Sequence, residues 1–531
     1  MLQHLLRVPR TVALAALIAL PLAGSLEAQA QSSPTTFTIA TRLTDSKFDP
    51  AFHFAEFDAA DIINSYEPLV FPVKGGFPKA HIATSWSVSP DGKKWTFKLR
   101  DDVVFADGKK LTSADVVYSM DRMLTIGKGY ASLWSGILKA GTTKATDATT
   151  VEFNLEQPFG PFIETLVQFY VVNSELVKAN TKKPGEFGDN GDYGTEFLRS
   201  NTAGSGPYKL DSFVPDRRRV YVKNDRYRGG WKPDQFERVV IEIVPETATA
   251  RAMLTGGQVD FVDQWQPVDF YRNVAREKGV RIMEAPDNKL YYVQFNTRRA
   301  PFDDENFRKA VMYAFDYKTA TETIMGGAEQ AKGPIPSAMP GFDGSTTKYE
   351  TNLAKAREFL AKSKYRPDQY ELEYGFLKVG IHEEIALLLQ ANLKQLGIPV
   401  VIKNDQWPNL VQKVSKPETT PHLFAVFNTA KYPTPDAYTY AMYHPSSHGQ
   451  WQAAAWYTNP AVHKLLEEAR TTVDTAQRNK KYADATKKIV DEATSLWVGY
   501  PFHRTAVSER VKNYESKGLM AFDLYAYDLR R

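Results

Sequence analysis

Two periodicities divide the chain. In the first third, Phe37 to Ala40, Lys94 to Leu99 and Val151 to Leu155 mix alternating apolar and β-favouring residues and end at turn formers, which predicts short strands. Asp91-Gly92 lies between Trp86-Ser87-Val88 and Trp95-Thr96-Phe97 and predicts a hairpin whose turn tolerates positive φ. Thr112-Ser113-Ala114-Asp115 opens a helix over Val116 to Met123, with Thr112 or Ser113 as its cap. From about Phe302 the spacing becomes helical. Phe307, Val311, Ala314 and Phe315 fall at i, i+4, i+7 and i+8, behind Asp303 and Asp304, whose charge suits a helix N-terminus. Ile385, Leu388, Leu389, Asn392, Leu393 and Leu396 form a second stripe, stopped by Gly397 and followed by the strand-like Ile398 to Ile402. Helix, glycine and strand make an α/β unit. Asn459 and Pro460 cap and start a third helix that buries Val462, Leu465, Leu466 and Ala469, and a fourth over Thr475 to Ala493 presents Tyr482, Ala485 and Ile489. Pro184 to Gly194 reads as a polar loop, and no internal repeat is visible.

The first 30 residues follow neither rhythm. Arg7 and Arg10 precede the Ala/Leu-dominated run Thr11 to Ala23, and Ala28-Gln29-Ala30 is a small-x-small cleavage site, the order of a secretory signal peptide. The run is shorter than the roughly 20 residues that span a bilayer. The mature chain is therefore expected to begin at Gln31. With no Cys anywhere, there is no thiol to carry a lipid anchor, so the expected location is the periplasm of a Gram-negative bacterium, with secretion to the medium as the alternative.

Composition removes several classes. At 43% hydrophobic and 24% charged the 531-residue chain is globular rather than disordered, and its length corresponds to two to four domains. The balance of 66 Lys+Arg against 62 Asp+Glu gives only +4, which argues against a nucleic-acid partner. No Gly-x-Ser-x-Gly elbow occurs, since Ala203-Gly204-Ser205-Gly206 starts with Ala, and no Gly-x-x-x-x-Gly-Lys phosphate loop is present. A catalytic role is not expected, and a secreted hydrolase remains the minor alternative.

Several segments, in order along nearly the whole mature chain, resemble the family 5 extracellular solute-binding proteins, the oligopeptide, dipeptide and nickel binding components of ABC importers. They are Tyr66-Glu67-Pro68-Leu69-Val70, Ile82 to Gly92 with Trp95 to Arg100, Val104 to Gly108, Leu111 to Val117 and Gly204-Ser205-Gly206-Pro207-Tyr208. Gly256 to Asp260, Gln294-Phe295-Asn296, Pro301 to Ala310 and Trp456 to Pro460 continue the series. The resemblance implies an α/β protein with the two-lobed periplasmic binding fold, hinged by two strands near Glu284 to Lys289 and Tyr500 to Arg504, with an extra domain inserted in the first lobe. The first lobe is expected at 31–75, 200–288 and 503–531, the inserted domain at 76–199 and the second lobe at 289–502. It also implies a monomer that encloses a peptide or peptide-like solute between its lobes and delivers it to permease subunits in the inner membrane, with no cofactor; the alternative is a non-peptide solute lacking a free amine, such as an opine, a sugar conjugate or a metal chelate.

In peptide-binding members an Asp in a loop resembling Ala-Asp-Tyr pairs with the ligand's α-amino group. In Phe427-Asn428-Thr429-Ala430-Lys431-Tyr432-Pro433-Thr434-Pro435-Asp436, Lys431 stands in that place. A lysine there repels an ammonium and suits a carboxylate, phosphate or carbonyl. The alternative is a displaced register, in which Asp436 takes the amine and Lys431 is merely solvated. Trp265 follows the strand-like Asp260-Phe261-Val262 and falls where a strand would end at a crevice, the usual ligand position of open α/β sheets. Tyr291, Tyr292, Trp407, Asn428, Tyr432, Trp451 and Tyr500 are further candidates for the cleft wall, against the ordinary alternative of core packing. His444 and His448 are separated by Pro445-Ser446-Ser447 and read as loop or surface histidines rather than metal ligands.

Overall fold

Thr36–Thr41 is a strand in which every residue is buried, and it anchors the first of two large sheets. In the computed structural model, which describes residues 33, 35–42, 48–53, 56–517, 519 and 522–531, it lies fourth in a seven-stranded sheet. The sheet order is Val280–Pro286, Phe502–Ser508, Phe261–Val262, Thr36–Thr41, Arg238–Ile243, Arg218–Lys223 and Tyr208–Val214. Thr36–Thr41 runs parallel to both neighbours, and the remaining pairs are antiparallel. The signal peptide lies outside the described residues.

A six-stranded sheet orders Glu329–Gln330, Ser495–Tyr500, Lys289–Phe295, Leu423–Thr429, Leu372–Leu377 and Val400–Asp405. All residues of Lys289–Phe295 and Ser495–Tyr500 are buried, so this sheet is covered on both faces. Two connections join the large sheets: Pro286 passes to Lys289, and Tyr500 passes to Phe502. They run side by side, because Val280–Pro286 pairs with Phe502–Ser508 and Lys289–Phe295 with Ser495–Tyr500. A four-stranded antiparallel sheet, Ala83–Val88, Lys94–Leu99, Thr150–Asn154 and Thr143–Asp147, is contributed by chain between Thr36–Thr41 and Tyr208–Val214.

The expected signals are present at their elements. Gly92 has φ +71° in the hairpin joining Ala83–Val88 to Lys94–Leu99. The helix Ser113–Ile126 starts where the Asp115 carboxylate accepts from the Thr112 backbone N–H at 2.9 Å, and it runs three residues past the expected end. Asp304 caps Glu305–Ala314 and Asn459 caps Pro460–Thr471. The strand after Gly397 begins later than its apolar run, at Val400, because Pro399 has no N–H for a ladder and uses its carbonyl to accept from Leu372.

Several of the collinear motifs hold layers together. A Cβ on Gly204 would stand 2.0 Å from the Ser65 carbonyl oxygen, so the chain crosses there only as glycine. Ser205 Oγ donates to Glu67 at 2.9 Å, and the same carboxylate meets Arg228 at 3.0 Å and His81 at 3.1 Å. Buried Glu67 is desolvated, which opposes its charge, yet these partners hold it below the usual carboxylate range. Among the described residues no helix is long and apolar enough to cross a membrane.

Candidate functional site

The carboxyl ends of Thr36–Thr41 and Phe261–Val262 point toward the connections between the large sheets. A small cavity of about 50 Å³ opens there, lined among others by Thr41, Arg219, Gln264, Trp265, His503 and Asp523. Asp263 shapes its rim: its carboxylate accepts from the backbone N–H of Arg42 at 3.0 Å and of Trp265 at 3.1 Å. Trp265 is 36% exposed, one of few large apolar side chains so open among the described residues. Its ring lies 4.8 Å from the Lys289 ammonium, which also donates to Gln264 Oε1 at 3.2 Å and meets Asp287 at 3.5 Å. This cation–π contact fixes the ring against the first connection.

Lys289 leads to the second group of candidates. It pairs across the ladder with Thr429, and the next residue along, Ala430, donates its N–H to the Asn288 carbonyl at 3.1 Å. Lys431 therefore follows directly from the strand that touches the connection. Its ammonium lies 5.8 Å from the Tyr130 ring, and Gln168 Nε2 donates to its carbonyl at 2.6 Å, so residues of the four-stranded layer border it. Burial lowers the Lys431 pKa from the ordinary lysine value to about 7.

Asp436 stands in a different environment. It is buried, accepts from Tyr432 and Tyr482 hydroxyls at 2.8 Å each, and lies 3.3 Å from Arg470 Nε. Both carboxylate oxygens are already engaged, and Tyr432 is engaged with them. Asn428 is buried and donates to Met442 Sδ at 3.3 Å.

The other aromatic candidates are spread apart. Tyr291 and Tyr292 are fully buried in the central strand, Tyr291 with its hydroxyl 3.1 Å from His382 Nδ1. Tyr500 is buried with its hydroxyl donating to the Gly333 carbonyl at 2.9 Å and accepting from the Lys332 N–H at 3.2 Å. Trp407 and Trp451 pack on each other, ring centroids 5.3 Å apart, at the start of helix Trp407–Lys413. The structure thus brings Trp265 close to the Lys431 loop through Lys289, and sets Tyr291, Tyr292 and Tyr500 into packing. His444 lies in a loop as expected but is not at the surface: it is buried by its stack on Tyr440 at 4.1 Å, with Glu467 3.2 Å from Nε2.

Sequence reasoning missed Lys289, His503 and Asp523. Lys289 carried one signal, a lone charge opening an otherwise uncharged strand; His503 and Asp523 are joined only by folding, at 2.8 Å.

The family described as "Bacterial extracellular solute-binding proteins, family 5 Middle" matches residues 78–450. The Probable D,D-dipeptide-binding periplasmic protein DdpA of Escherichia coli is 30% identical over 508 residues, covering 94% of this chain and 95% of its own. Among solved structures, the ABC transporter substrate binding protein CtaP of Listeria monocytogenes superposes with TM-score 0.81 at 21% identity, covering 93% of this chain and 99% of its own. The oligopeptide-binding protein AppA of Bacillus subtilis, in complex with a nonapeptide, gives 0.76 at 21% identity over 93% and 98%. The chain belongs to the family 5 solute-binding proteins of ABC importers, and its fold is their two-lobed α/β fold.

Proposed function

We propose that the protein captures a peptide or peptide-like solute between two closing lobes and delivers it to the permease of an ABC importer in the inner membrane. The lobes are taken as 31–75 with 200–288 and 503–531, and as 289–502, with 76–199 inserted; residues 1–30 are removed on export and the mature protein acts as a monomer. The observation that carries this reading is the contact across the crossing: Trp265, on the wall of a cavity lined by first-lobe residues, meets Lys289, whose ladder partner Thr429 leads into the Lys431 loop. The similarity to a D,D-dipeptide-binding protein favours a short peptide.

Lys431 narrows the chemistry. With Asp436 already held by Tyr432, Tyr482 and Arg470, the loop offers no idle carboxylate for a ligand's ammonium at that place. The favoured solute carries a carboxylate or a blocked amine toward Lys431. Solute binding draws both lobes together because only the closed form touches it from both sides, and that differential contact is what shifts the population. The protein binds without turnover, and ATP hydrolysis belongs to a separate subunit.

Calorimetric titration with D-Ala-D-Ala, L-Ala-L-Ala and their N-acetylated forms tests the reading. Saturable one-to-one binding, tighter for a blocked amine, supports it. Tight binding of free-amine peptides, unaltered in Lys431→Asp, would remove Lys431 from recognition. Product appearing on incubation would convert the binder to a hydrolase.

A further inference from the structure

Charged side chains cross between the strands that carry the two connections: Arg504 meets Glu284 at 2.7 Å, and His503 reaches the first connection at Asp287. His503 is the second residue of Phe502–Ser508 and pairs across from Ala285. Its Nε2 lies 2.8 Å from Asp523 Oδ2 in the C-terminal segment, and its Nδ1 lies 3.9 Å from Asp287 Oδ2 in the other connection. Asp287 in turn meets Lys289 at 3.5 Å, and Lys289 reaches Gln264 and the Trp265 ring. A continuous chain of charged contacts runs from the C-terminal segment through both connections to the cleft wall.

We propose that protonated His503 is a positioning residue for solute capture: it clamps the two connections together and, through Asp287 and Lys289, holds Gln264 and Trp265 on the cleft wall. This rests on the reading that the lobes close on solute. The groups facing His503 are Asp523 and Tyr514 from the C-terminal segment, Asp287 and Lys289 from the first connection, and Thr505 on its own strand. Beyond them, Arg504 is occupied by Glu284 at 2.7 Å, and Arg219 across the cavity by Asp61 at 3.2 Å. With the ring charged, two cations face two carboxylates. When it loses its proton, Asp523 keeps no cation partner among these groups and the His503–Asp287 link is lost, which leaves the Arg504–Glu284 pair and the strand ladder between the connections.

Burial works against the charged ring, but Asp523 and Asp287 outweigh it and raise His503 above the ordinary imidazole value. A raised base contributes fully below its ordinary value of about 6.5 and loses its contribution as the pH climbs through the raised value. The clamp is accordingly engaged below the ordinary imidazole value of about 6.5 and released as the pH climbs through the raised value.

The chain has no Cys, so a pair of spin labels can be placed cleanly at Lys278→Cys in the first lobe and Lys394→Cys in the second, both exposed. Label separations in solute-free protein are read by pulsed paramagnetic resonance at about pH 6, below the ordinary imidazole value, and at about pH 9. The expected result is a shift toward longer and broader separations at the higher pH. His503→Gln should give the long distribution at both values and His503→Lys, which keeps a cation, the short one. If His503→Gln does not fold by circular dichroism, Asp287→Asn replaces it and should reduce the pH shift while leaving the His503–Asp523 pair. Separations that ignore pH in the wild type, or that respond equally in the neutral variant, overturn the proposal. Adding N-acetyl-D-Ala-D-Ala, whose amine is blocked, separates the two readings: shortening by solute without any pH response refutes the clamp alone, whereas no change under either condition refutes lobe closure as well.

Discussion

Lys431 illustrates how far a residue's chemistry depends on its neighbours. On sequence it is a fixed cation; half-buried beside Tyr130 and the Gln168 segment, where desolvation opposes its charge, its pKa falls to about 7, so near neutrality it is divided between charged and neutral forms. A solute carboxylate restores the charged form. Binding an anionic solute should therefore take up protons at and above about pH 7, seen as a dependence of binding heat on buffer ionisation enthalpy, and Lys431→Met should abolish the uptake. The stability sign is opposite to that of an ion pair. A lysine with a lowered folded pKa costs stability at and below that value, and the cost shrinks as pH rises toward the ordinary lysine range. Lys431→Met is expected to melt higher than wild type near pH 7, by an amount that narrows in alkaline buffer. Equal melting temperatures across pH would mean that the ammonium stays hydrated. Trp265 poses the complementary case of an exposed ring: Trp265→Ala should weaken solute binding at least ~10-fold, about 1.4 kcal/mol, with little change in melting temperature. Unchanged affinity by calorimetry would remove the ring from the site.

At the scale of elements, local signals and long-range pairing were legible to different degrees. The helices Glu305–Ala314, His382–Lys394, Pro460–Thr471 and Thr475–Asp491 announce themselves because apolar stripes and, in all but His382–Lys394, capping side chains lie within one segment. The partners of Thr36–Thr41 do not, since Arg238–Ile243 and Phe261–Val262 lie about two hundred residues away and any buried strand could fill the place. Only the collinear resemblance carried that information. Tyr291, Tyr292 and Tyr500 sit in strands buried on both faces, where alternation carries no inside-outside information, so their packing role could not be separated from a cleft role. The four-stranded layer also meets the second large sheet's helices through a contact that sequence hides. Arg478 is buried, pairs with Glu164 and donates to the Gly160 carbonyl at 3.0 Å, while a Cβ on Gly160 would stand 2.0 Å from the Thr472 carbonyl oxygen. Removing the arginine leaves Glu164 buried without its cation, so Arg478→Met should destabilise by about 3 kcal/mol in denaturant unfolding. Gly160→Ala should also destabilise, by forcing two backbones apart rather than by unpairing a charge. A loss below about 0.5 kcal/mol for both would show that this seam adds little to the fold.

For the whole molecule, the central claim is that two sheet-built lobes close on a peptide-like solute at the connections between them. The two large sheets are joined by only two short passages, Pro286 to Lys289 and Tyr500 to Phe502, which suits motion about a narrow axis. The family signatures at Glu67, Thr112 to Asp115 and Gly204 to Gly206 are absorbed in layer packing, and the proposed reading assigns solute choice to residues such as Trp265 and Lys431. The most direct test is mass spectrometry of the small molecules released when protein purified from its native periplasm is denatured, followed by adding the identified solute back to refolded, spin-labelled protein. The account predicts one peptide or peptide-like solute per chain, bearing a carboxylate or a blocked amine, that shortens the separation between labels on the two lobes. A stoichiometric solute of unrelated chemistry, or one that binds without changing that separation, would contradict it.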